Sequence, residues 1–129
     1  MIGLNHITLA VTNLDRSISF YCNTLNATLK ATWDKGAYLE LGAIWLCLAV
    51  EDTVTIRTDD THIAFSVPDF EKAAAKVSAH ATLWKDNVSE GNSLYFLDPD
   101  GHKLELHEGS LTSRLAHYAA RSDGKVTIF

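Results

Sequence analysis

Two stretches of the 129-residue chain show the same change in the spacing of their apolar residues. In residues 6–11, and again in residues 62–67, every second residue is apolar, which is typical of a half-buried strand. After each stretch the apolar residues recur at helical spacing, which predicts amphipathic helices beginning near Leu14 and near Phe70. Thr12 or Asn13 can cap the first helix, and Pro68-Asp69 begins the second.

The two stretches also align with each other without a gap, at a separation of 56 residues. His6 then falls on His62, and Ile7 falls on Ile63. A histidine at the head of two matching patterns indicates an internal repeat, so one module is written twice in this chain.

Three shorter strands are predicted after each helix, over about 28–33, 37–42 and 44–49 in the first copy and 81–86, 93–97 and 103–107 in the second. The segment Asp98-Pro99-Asp100-Gly101 is a strong turn signal. The predicted fold class is therefore α+β, with two tandem βαβββ modules whose cupped mixed sheets enclose a cavity. We expect one domain over residues 1–115, with modules over about 1–58 and 59–115, and a patternless C-terminal tail over 116–129.

Composition narrows the function classes. Hydrophobic residues make up 47% and charged residues 21% of the chain, as in soluble globular proteins. A net charge of −5 without a basic stripe argues against nucleic acid and anionic membrane surfaces as partners. The N-terminus is a poor signal peptide, and Cys22 and Cys47 are typical of buried reduced thiols, so a cytoplasmic location is expected.

The alternation of the strands predicts which side chains point into the cavity. His6 and Thr8 share the face opposite the apolar residues of their strand, His62 occupies the equivalent place in the second copy, and Glu105 and His107 both face inward from the last strand. Two imidazoles and a carboxylate suit Mn²⁺, Fe²⁺, Co²⁺, Ni²⁺ or Zn²⁺, and spacing alone leaves Glu105 and His107 as alternatives. If the 56-residue offset holds, Glu105 corresponds to Ala49, which has no ligand atom, so coordination sites would stay open for catalysis.

A second set of polar residues surrounds the loop over 85–93. Lys85 and Arg114, with the hydroxyls of Thr8, Ser93 and Tyr95, can converge on a phosphate-like anion. The alternative is an ordinary solvated loop.

Several motifs resemble the vicinal oxygen chelate (glyoxalase) superfamily. GLNHITLAV and THIAF are generic to that superfamily, whereas YLELGAIWLCL and SEGNSLYFLDPDGHKLELH, with Ser113-Arg114, resemble more specifically the fosfomycin-resistance thiol transferases of the FosA type. The resemblance spans about residues 3–114. It implies Mn²⁺ bound by His6, His62 and Glu105, and a domain-swapped homodimer in which His6 comes from one subunit and the other two ligands from its partner.

The resemblance also implies roles for further residues. K⁺ would be a second cofactor, and glutathione the co-substrate, in a channel contacted by Trp33 and Tyr38. Thr8 and Tyr38 are the expected catalytic residues, Tyr38 by stabilising the thiolate. The phosphonate would be held by Thr8, Lys85, Ser89, Ser93, Tyr95 and Arg114, and K⁺ by Asn87, Ser89, Glu90, Gly91 and Ser93.

The expected function is metal-dependent opening of the fosfomycin epoxide by glutathione, which confers antibiotic resistance. Relatives that use bacillithiol tend to carry Cys in place of Thr8, and hydrolytic relatives use an added Glu for which Glu40 is the nearest candidate here, so both comparisons favour glutathione. The alternatives are a bacillithiol transferase, a fosfomycin epoxide hydrolase, another metal-dependent isomerase or dioxygenase of the superfamily, and a drug-binding module without catalysis.

Overall fold

The structure is a computed structural model that describes residues 1–121 and 123–129. Each half of the chain folds as a strand, a helix and three further strands, as the repeat predicts. A last helix follows the second half. The elements are β1 (His6–Val11), α1 (Leu14–Ser19), β2 (Thr28–Trp33), β3 (Gly36–Leu41), β4 (Ile44–Val50), β5 (Ile63–Ser66), α2 (Phe70–Ser78), β6 (Leu83–Lys85), β7 (Asn92–Leu97), β8 (Lys103–Glu108) and α3 (Leu111–Ala120).

The strands form two four-stranded sheets of identical topology. Their orders are β1-β4-β3-β2 and β5-β8-β7-β6. In each sheet the first strand pairs in parallel with the last, and the remaining pairs are antiparallel. The sequence prediction of an α+β fold built from two mixed sheets is confirmed.

One face of each sheet packs into the hydrophobic core. Leu9 and Val11 of β1, together with Leu104 and Leu106 of β8, are buried there. Burying apolar side chains beneath the helices stabilises both halves, because each buried aliphatic side chain contributes about 1.5–3 kcal/mol. The alternate residues of the same strands face away from the core, as their spacing predicts.

The first two helices, α1 and α2, begin at the residues that the sequence indicates. The Asn13 side chain accepts a hydrogen bond from the Arg16 amide at 3.0 Å, and the Asp69 side chain accepts one from the Lys72 amide at 3.2 Å. The first helix then widens into a π-helical segment, Phe20–Thr24. This segment buries Tyr21, whose hydroxyl donates to Asp98 Oδ2 at 2.7 Å. Burial, reinforced by the charge of Asp98, raises the pKa of Tyr21.

The predicted turn at 98–101 joins the two halves. The Gly101 amide donates to the Asp98 carbonyl at 3.0 Å, which closes the turn. Asp100 Oδ1 accepts from the Thr12 hydroxyl at 2.6 Å and from Arg16 at 3.1 Å. His102 Nε2 lies 2.6 Å from the Ala10 carbonyl, which can only accept, so this nitrogen donates. The turn of the second half thus holds the first strand and helix of the first half.

The strand register corrects one expectation from the repeat. Ile7 lies opposite Leu46, and Ile63 lies opposite Leu104, so the last strands are 58 rather than 56 residues apart. Glu105 therefore corresponds to Cys47, and the expected correspondence with Ala49 is wrong. The reason is that two residues are inserted between the matching strands of the second half, where loop length leaves no trace in the apolar pattern.

A helix that the sequence did not predict spans 111–120. It begins with a capping box, in which the Ser110 hydroxyl accepts from the Ser113 amide and the Ser113 hydroxyl accepts from the Ser110 amide. No residue of this helix is buried, and its larger apolar residues recur at helical spacing only at Leu111, Leu115 and Tyr118. The proposed division into segments 1–58, 59–115 and 116–129 stays a prediction, although this helix runs across the last boundary. Within the described residues, no helix has the length and apolar character needed to cross a bilayer.

Candidate metal and anion site

The polar face of the second sheet brings the predicted inward side chains side by side. Glu105 on β8 lies opposite Tyr95 on β7, and Tyr95 lies opposite Lys85 on β6. The neighbouring register pairs Ser93 with His107. Because paired residues in a sheet point to the same face, these five side chains share one surface, as predicted.

Glu105 is the centre of this surface and is only 6% exposed. Its Oε1 accepts a hydrogen bond from the Ser93 hydroxyl at 2.6 Å, and its Oε2 lies 2.9 Å from His62 Nε2. His107 Nδ1 is 3.5 Å from Glu105 Oε1 and 2.8 Å from the Ser93 hydroxyl oxygen. The surrounding groups therefore fix both carboxylate oxygens in place.

The hydrogen bond of His62 Nδ1 indicates what can lie between His62 Nε2 and Glu105. His62 Nδ1 lies 2.6 Å from the Asp60 carbonyl, which can only accept, so Nδ1 carries the proton. In neutral imidazole Nε2 then carries a lone pair. This lone pair faces one on Glu105 Oε2, and the two atoms are 2.9 Å apart. Two lone pairs at that distance repel unless a proton or a metal cation lies between them. A backbone carbonyl that orients a histidine in this way is also the usual outer partner of a metal-ligating imidazole.

His6 lies in the other half of the chain, at the start of β1. It is exposed, its Nδ1 is 2.7 Å from Asn5 Oδ1, and its ring stacks on Trp45 with centroids 4.6 Å apart. Among residues 1–121 and 123–129 of a single chain, no three His, Cys, Asp or Glu side chains converge closely enough to hold a metal ion. One chain therefore brings together His62 and Glu105 and leaves His6 apart from them.

Lys85 lies next to Glu105 on the same face. Its Nζ is 2.8 Å from Asp60 Oδ1 and 5.3 Å from the centre of the Tyr95 ring. The hydrogen bond from Lys85 holds the pKa of Asp60 below its usual value, and the same bond raises the pKa of Lys85. The lysine is thus charged and already partnered.

Arg114 on α3 contacts the loop that precedes β7. Its Nε donates to Glu90 Oε2 at 3.0 Å, and its second amino group donates to the Glu90 carbonyl at 2.9 Å. The Ser89 hydroxyl is 3.4 Å from that amino group. Hydrogen bonding to Tyr118 and then to Glu90 raises the pKa of Arg114. The predicted anion-binding residues therefore form one group at Lys85, Ser93 and Tyr95, another at Ser89 and Arg114, with Thr8 on the other sheet.

The loop predicted to hold K⁺ is closed by its own hydrogen bonds. The Asn87 amide donates to the Gly91 carbonyl at 2.8 Å, and its oxygen accepts from the Ser89 amide at 3.0 Å. Gly91 has a φ of 82°, and a Cβ there would lie 2.6 Å from the Glu108 carbonyl oxygen. Only glycine fits this position, because a side chain would meet both a strained backbone and the neighbouring strand.

The two residues predicted for a thiol channel belong to an aromatic row on the first sheet. The ring centroids of Trp33 and Tyr38 are 4.8 Å apart, and those of Tyr38 and Trp45 are 5.2 Å apart. The Trp45 ring in turn contacts the His6 ring. All four side chains are exposed. The Trp33, Tyr38 and Trp45 rings meet edge to face rather than in one plane, and the row lies exposed on the same sheet face as Thr8.

Three residues at this site were missed by the sequence reasoning. Trp45 could have been predicted from the alternation of β4, because it lies opposite His6 and so shares the sheet face of His6 and Thr8. Trp84 packs 5.8 Å from the His62 ring and 5.4 Å from the Tyr95 ring. Asp60 lies in an irregular segment before β5, and no periodic signal marks it.

Similar proteins support this geometry. A curated glutathione transferase FosA from Serratia marcescens is 50% identical over 121 residues, which is 88% of this chain and 86% of the relative. A metallothiol transferase FosB from Shouchella clausii is 39% identical over 126 residues, covering 90% of this chain and 86% of the relative.

Solved structures agree with the sequence relatives. The fosfomycin resistance protein FosX from Listeria monocytogenes, in a mutant form complexed with Mn(II) and 1S,2S-dihydroxypropylphosphonic acid, matches with a TM-score of 0.82 at 31% identity, over 92% of this chain and 98% of that one. The family model of the Glyoxalase/Bleomycin resistance protein/Dioxygenase superfamily matches residues 3–106. The paired βαβββ modules, the carboxylate and histidine on one cupped face and these matches together show that the chain belongs to the Glyoxalase/Bleomycin resistance protein/Dioxygenase superfamily.

Proposed function

We propose that this protein is a thiol transferase that opens the epoxide of fosfomycin with glutathione and so confers resistance to the antibiotic. The observation that carries the proposal is the contact of His62 Nε2 with Glu105 Oε2 at 2.9 Å, beside Lys85 on the same face. That arrangement joins a place for a divalent cation to a place for an anion, which is what a phosphonate with a neighbouring epoxide oxygen requires. The 50% identity to a glutathione transferase supports glutathione as the thiol.

The metal that we propose is Mn²⁺, with His62 and Glu105 of one chain and His6 of a second chain as ligands in a domain-swapped homodimer. Nitrogen and carboxylate oxygen donors fit this ion, and three protein ligands leave room for substrate oxygens. When bound, the ion supplies Lewis-acid stabilisation of the negative charge that develops on the epoxide oxygen. The separation of His6 from the other two residues within one chain supports the exchange between subunits.

The residues around the metal position orient the substrate. Lys85, Ser93 and Tyr95 lie on the same face as Glu105 and can bind the phosphonate oxygens, with Thr8, Ser89 and Arg114 completing the set. We assign K⁺ to the loop formed by Asn87, Ser89, Glu90, Gly91 and Ser93, where it adds positive potential near the phosphonate. Holding the small substrate in one orientation contributes to the rate because the reacting atoms are aligned before attack.

The thiol approaches from the aromatic row. A free thiol has a pKa of about 8.5 and is mostly protonated at neutral pH, so its thiolate needs stabilisation. We assign that role to the Tyr38 hydroxyl, with Trp33 contacting the rest of glutathione and Thr8 acting beside the reacting atoms. The sulfur then forms a bond to the epoxide carbon from the side opposite the C–O bond that breaks, and the released alkoxide takes up a proton.

Epoxide hydrolysis is the second candidate, because the similar FosX structure, at a TM-score of 0.82, is complexed with 1S,2S-dihydroxypropylphosphonic acid, which is a diol. A hydrolase needs a carboxylate that activates water near the epoxide. Glu40, the nearest candidate in the sequence, is exposed and lies opposite Trp45, which in turn lies opposite His6. The preference for thiol addition over hydrolysis therefore rests on the 50% identity to the glutathione transferase and not on the placement of Glu40.

Mass spectrometry of the products tests the proposal. The protein is incubated with Mn²⁺, K⁺, fosfomycin and glutathione, and we expect the mass of the fosfomycin–glutathione adduct. The diol would show hydrolysis instead, and unchanged drug would contradict both activities.

Since Cys22 and Cys47 are both free thiols, we propose the reducing cytoplasm, where glutathione is abundant, as the place of action.

A further inference from the structure

The lysine that faces the proposed anion site already has an anionic partner. Lys85 Nζ donates to Asp60 Oδ1 at 2.8 Å, and the side chains of Lys85 and Asp60 are 33% and 68% exposed. The Asp60 backbone carbonyl contacts His62, but the Asp60 side chain belongs to none of the groups that the proposed chemistry uses. Its carboxylate nevertheless occupies one of the directions from which a phosphonate oxygen would approach Lys85.

The backbone holds Asp60 in this place independently of Lys85. The Asp60 carbonyl binds His62 Nδ1 at 2.6 Å, and the carbonyl of the preceding Asp59 accepts from Lys103 Nζ at 2.5 Å. The Asp59 carboxylate in turn accepts from the Thr61 amide at 3.0 Å. A segment fixed by three such contacts keeps the Asp60 carboxylate at the rim of the site whether or not Lys85 stays with it.

The strength of the pair is suited to exchange. An ion pair this exposed contributes little free energy, so a better anion can displace the carboxylate from the lysine. After displacement the carboxylate remains close by and repels the incoming anion. That repulsion grows with the charge of the ligand, so a dianion is disfavoured more than a monoanion.

We propose that Asp60 is a resident counterion of Lys85, which the anionic group of the substrate displaces, and that it thereby weakens anion binding and sets its dependence on ligand charge. The identity of that substrate rests on the proposed function, but the counterion role does not. Asp60 is in this account a specificity-determining residue and takes no part in bond making or breaking.

Binding of inorganic phosphate to the metal-free protein tests the proposal without any turnover. Trp84 lies with its ring centre 5.7 Å from Lys85 Nζ, so tryptophan fluorescence can follow the titration. We expect Asp60→Asn to tighten phosphate binding about two- to fivefold at low salt, the range for an exposed charge pair, and the gain to shrink as salt is added. Asp60→Glu keeps the charge and should bind as the parent protein does.

Two controls separate this effect from general electrostatics. Glu71→Gln removes one negative charge from an exposed position on α2 and should leave phosphate affinity unchanged. Adding Asp60→Asn to a Lys85→Met variant should give no gain, because the counterion acts through that lysine. Unchanged or weaker phosphate binding by Asp60→Asn would overturn the proposal, as would phosphate that binds neither protein. Tighter phosphate binding together with a failure to modify fosfomycin would keep the counterion and reject the proposed function.

Discussion

At the scale of single residues, the contact between His62 and Glu105 organises the site. The Asp60 carbonyl accepts from His62 Nδ1, and the Ser93 hydroxyl donates to Glu105 Oε1, so His62 Nε2 and Glu105 Oε2 are held facing each other. The repeat predicted His6 and His62 from the sequence, but parity left Glu105 and His107 equivalent. In the structure Glu105 is buried against His62, whereas His107 contacts the Ser93 hydroxyl, and on this difference we propose Glu105 as the ligand.

Replacing Glu105 tests the ligand assignment. We expect Glu105→Gln to weaken Mn²⁺ binding more than about 100-fold, since even partners outside the ligand shell cost about 10–100-fold when replaced. His107→Gln is the matched control, since it removes a neighbouring titratable group on the same strand, and its loss should be clearly smaller. Calorimetric titration with Mn²⁺ measures both. Equal losses in the two variants would contradict the assignment of Glu105.

At the scale of elements, alternation and repeat predicted the strands, their faces and the first two helices. The pattern missed the π-helical segment at Phe20–Thr24 and the helix at Leu111–Ala120. The first changes only the pitch within a helical pattern that the sequence already shows. The second has helical spacing only at Leu111, Leu115 and Tyr118, which is too short a pattern to separate it from the tail. The register offset of 58 residues was missed for a related reason, since it is set by loop lengths. Asp60 belongs to such an irregular segment and was invisible to the same reasoning.

The turn at Asp98–Gly101 provides a prediction about stability. The Asp100 side chain is 3% exposed, and it accepts from Thr12, Arg16 and Ser17. Burial alone would raise the pKa of Asp100, but the hydrogen bonds from Thr12 and the charge of Arg16 outweigh it, and the pKa lies below the ordinary 3.8. Asp100 therefore stabilises the fold above pH 3.8, and that contribution is lost as the pH falls through its lower pKa.

Asp100→Asn should therefore lower the free energy of unfolding by about 1.5–3 kcal/mol at pH 7, because charge-assisted bonds are replaced by weaker ones. The difference between parent and variant should shrink as the pH is lowered beneath 3.8. Urea unfolding at a series of pH values measures it. A difference that stays constant down to pH 2.5, or that grows on acidification, would show that the ionised carboxylate is not what joins the halves.

At the scale of the whole molecule, each half supplies part of the proposed reaction centre. The first sheet carries His6, Thr8 and the aromatic row, and the second carries His62, Glu105 and Lys85. Within one chain these two faces do not bring the three proposed ligands together. The repeat predicted that two modules enclose a cavity, but sequence patterns describe each module by itself and contain no information on which copies face each other.

Subunit complementation tests the central claim most directly. Chains carrying His6→Ala are mixed and refolded with chains carrying Glu105→Ala, and formation of the fosfomycin–glutathione adduct is measured with Mn²⁺ present. Each variant alone should be inactive. If His6 acts with the His62 and Glu105 of a partner, random pairing restores one intact site in half of the dimers, and about a quarter of the parent activity should return. A mixture as inactive as its two components would contradict a site assembled from two chains.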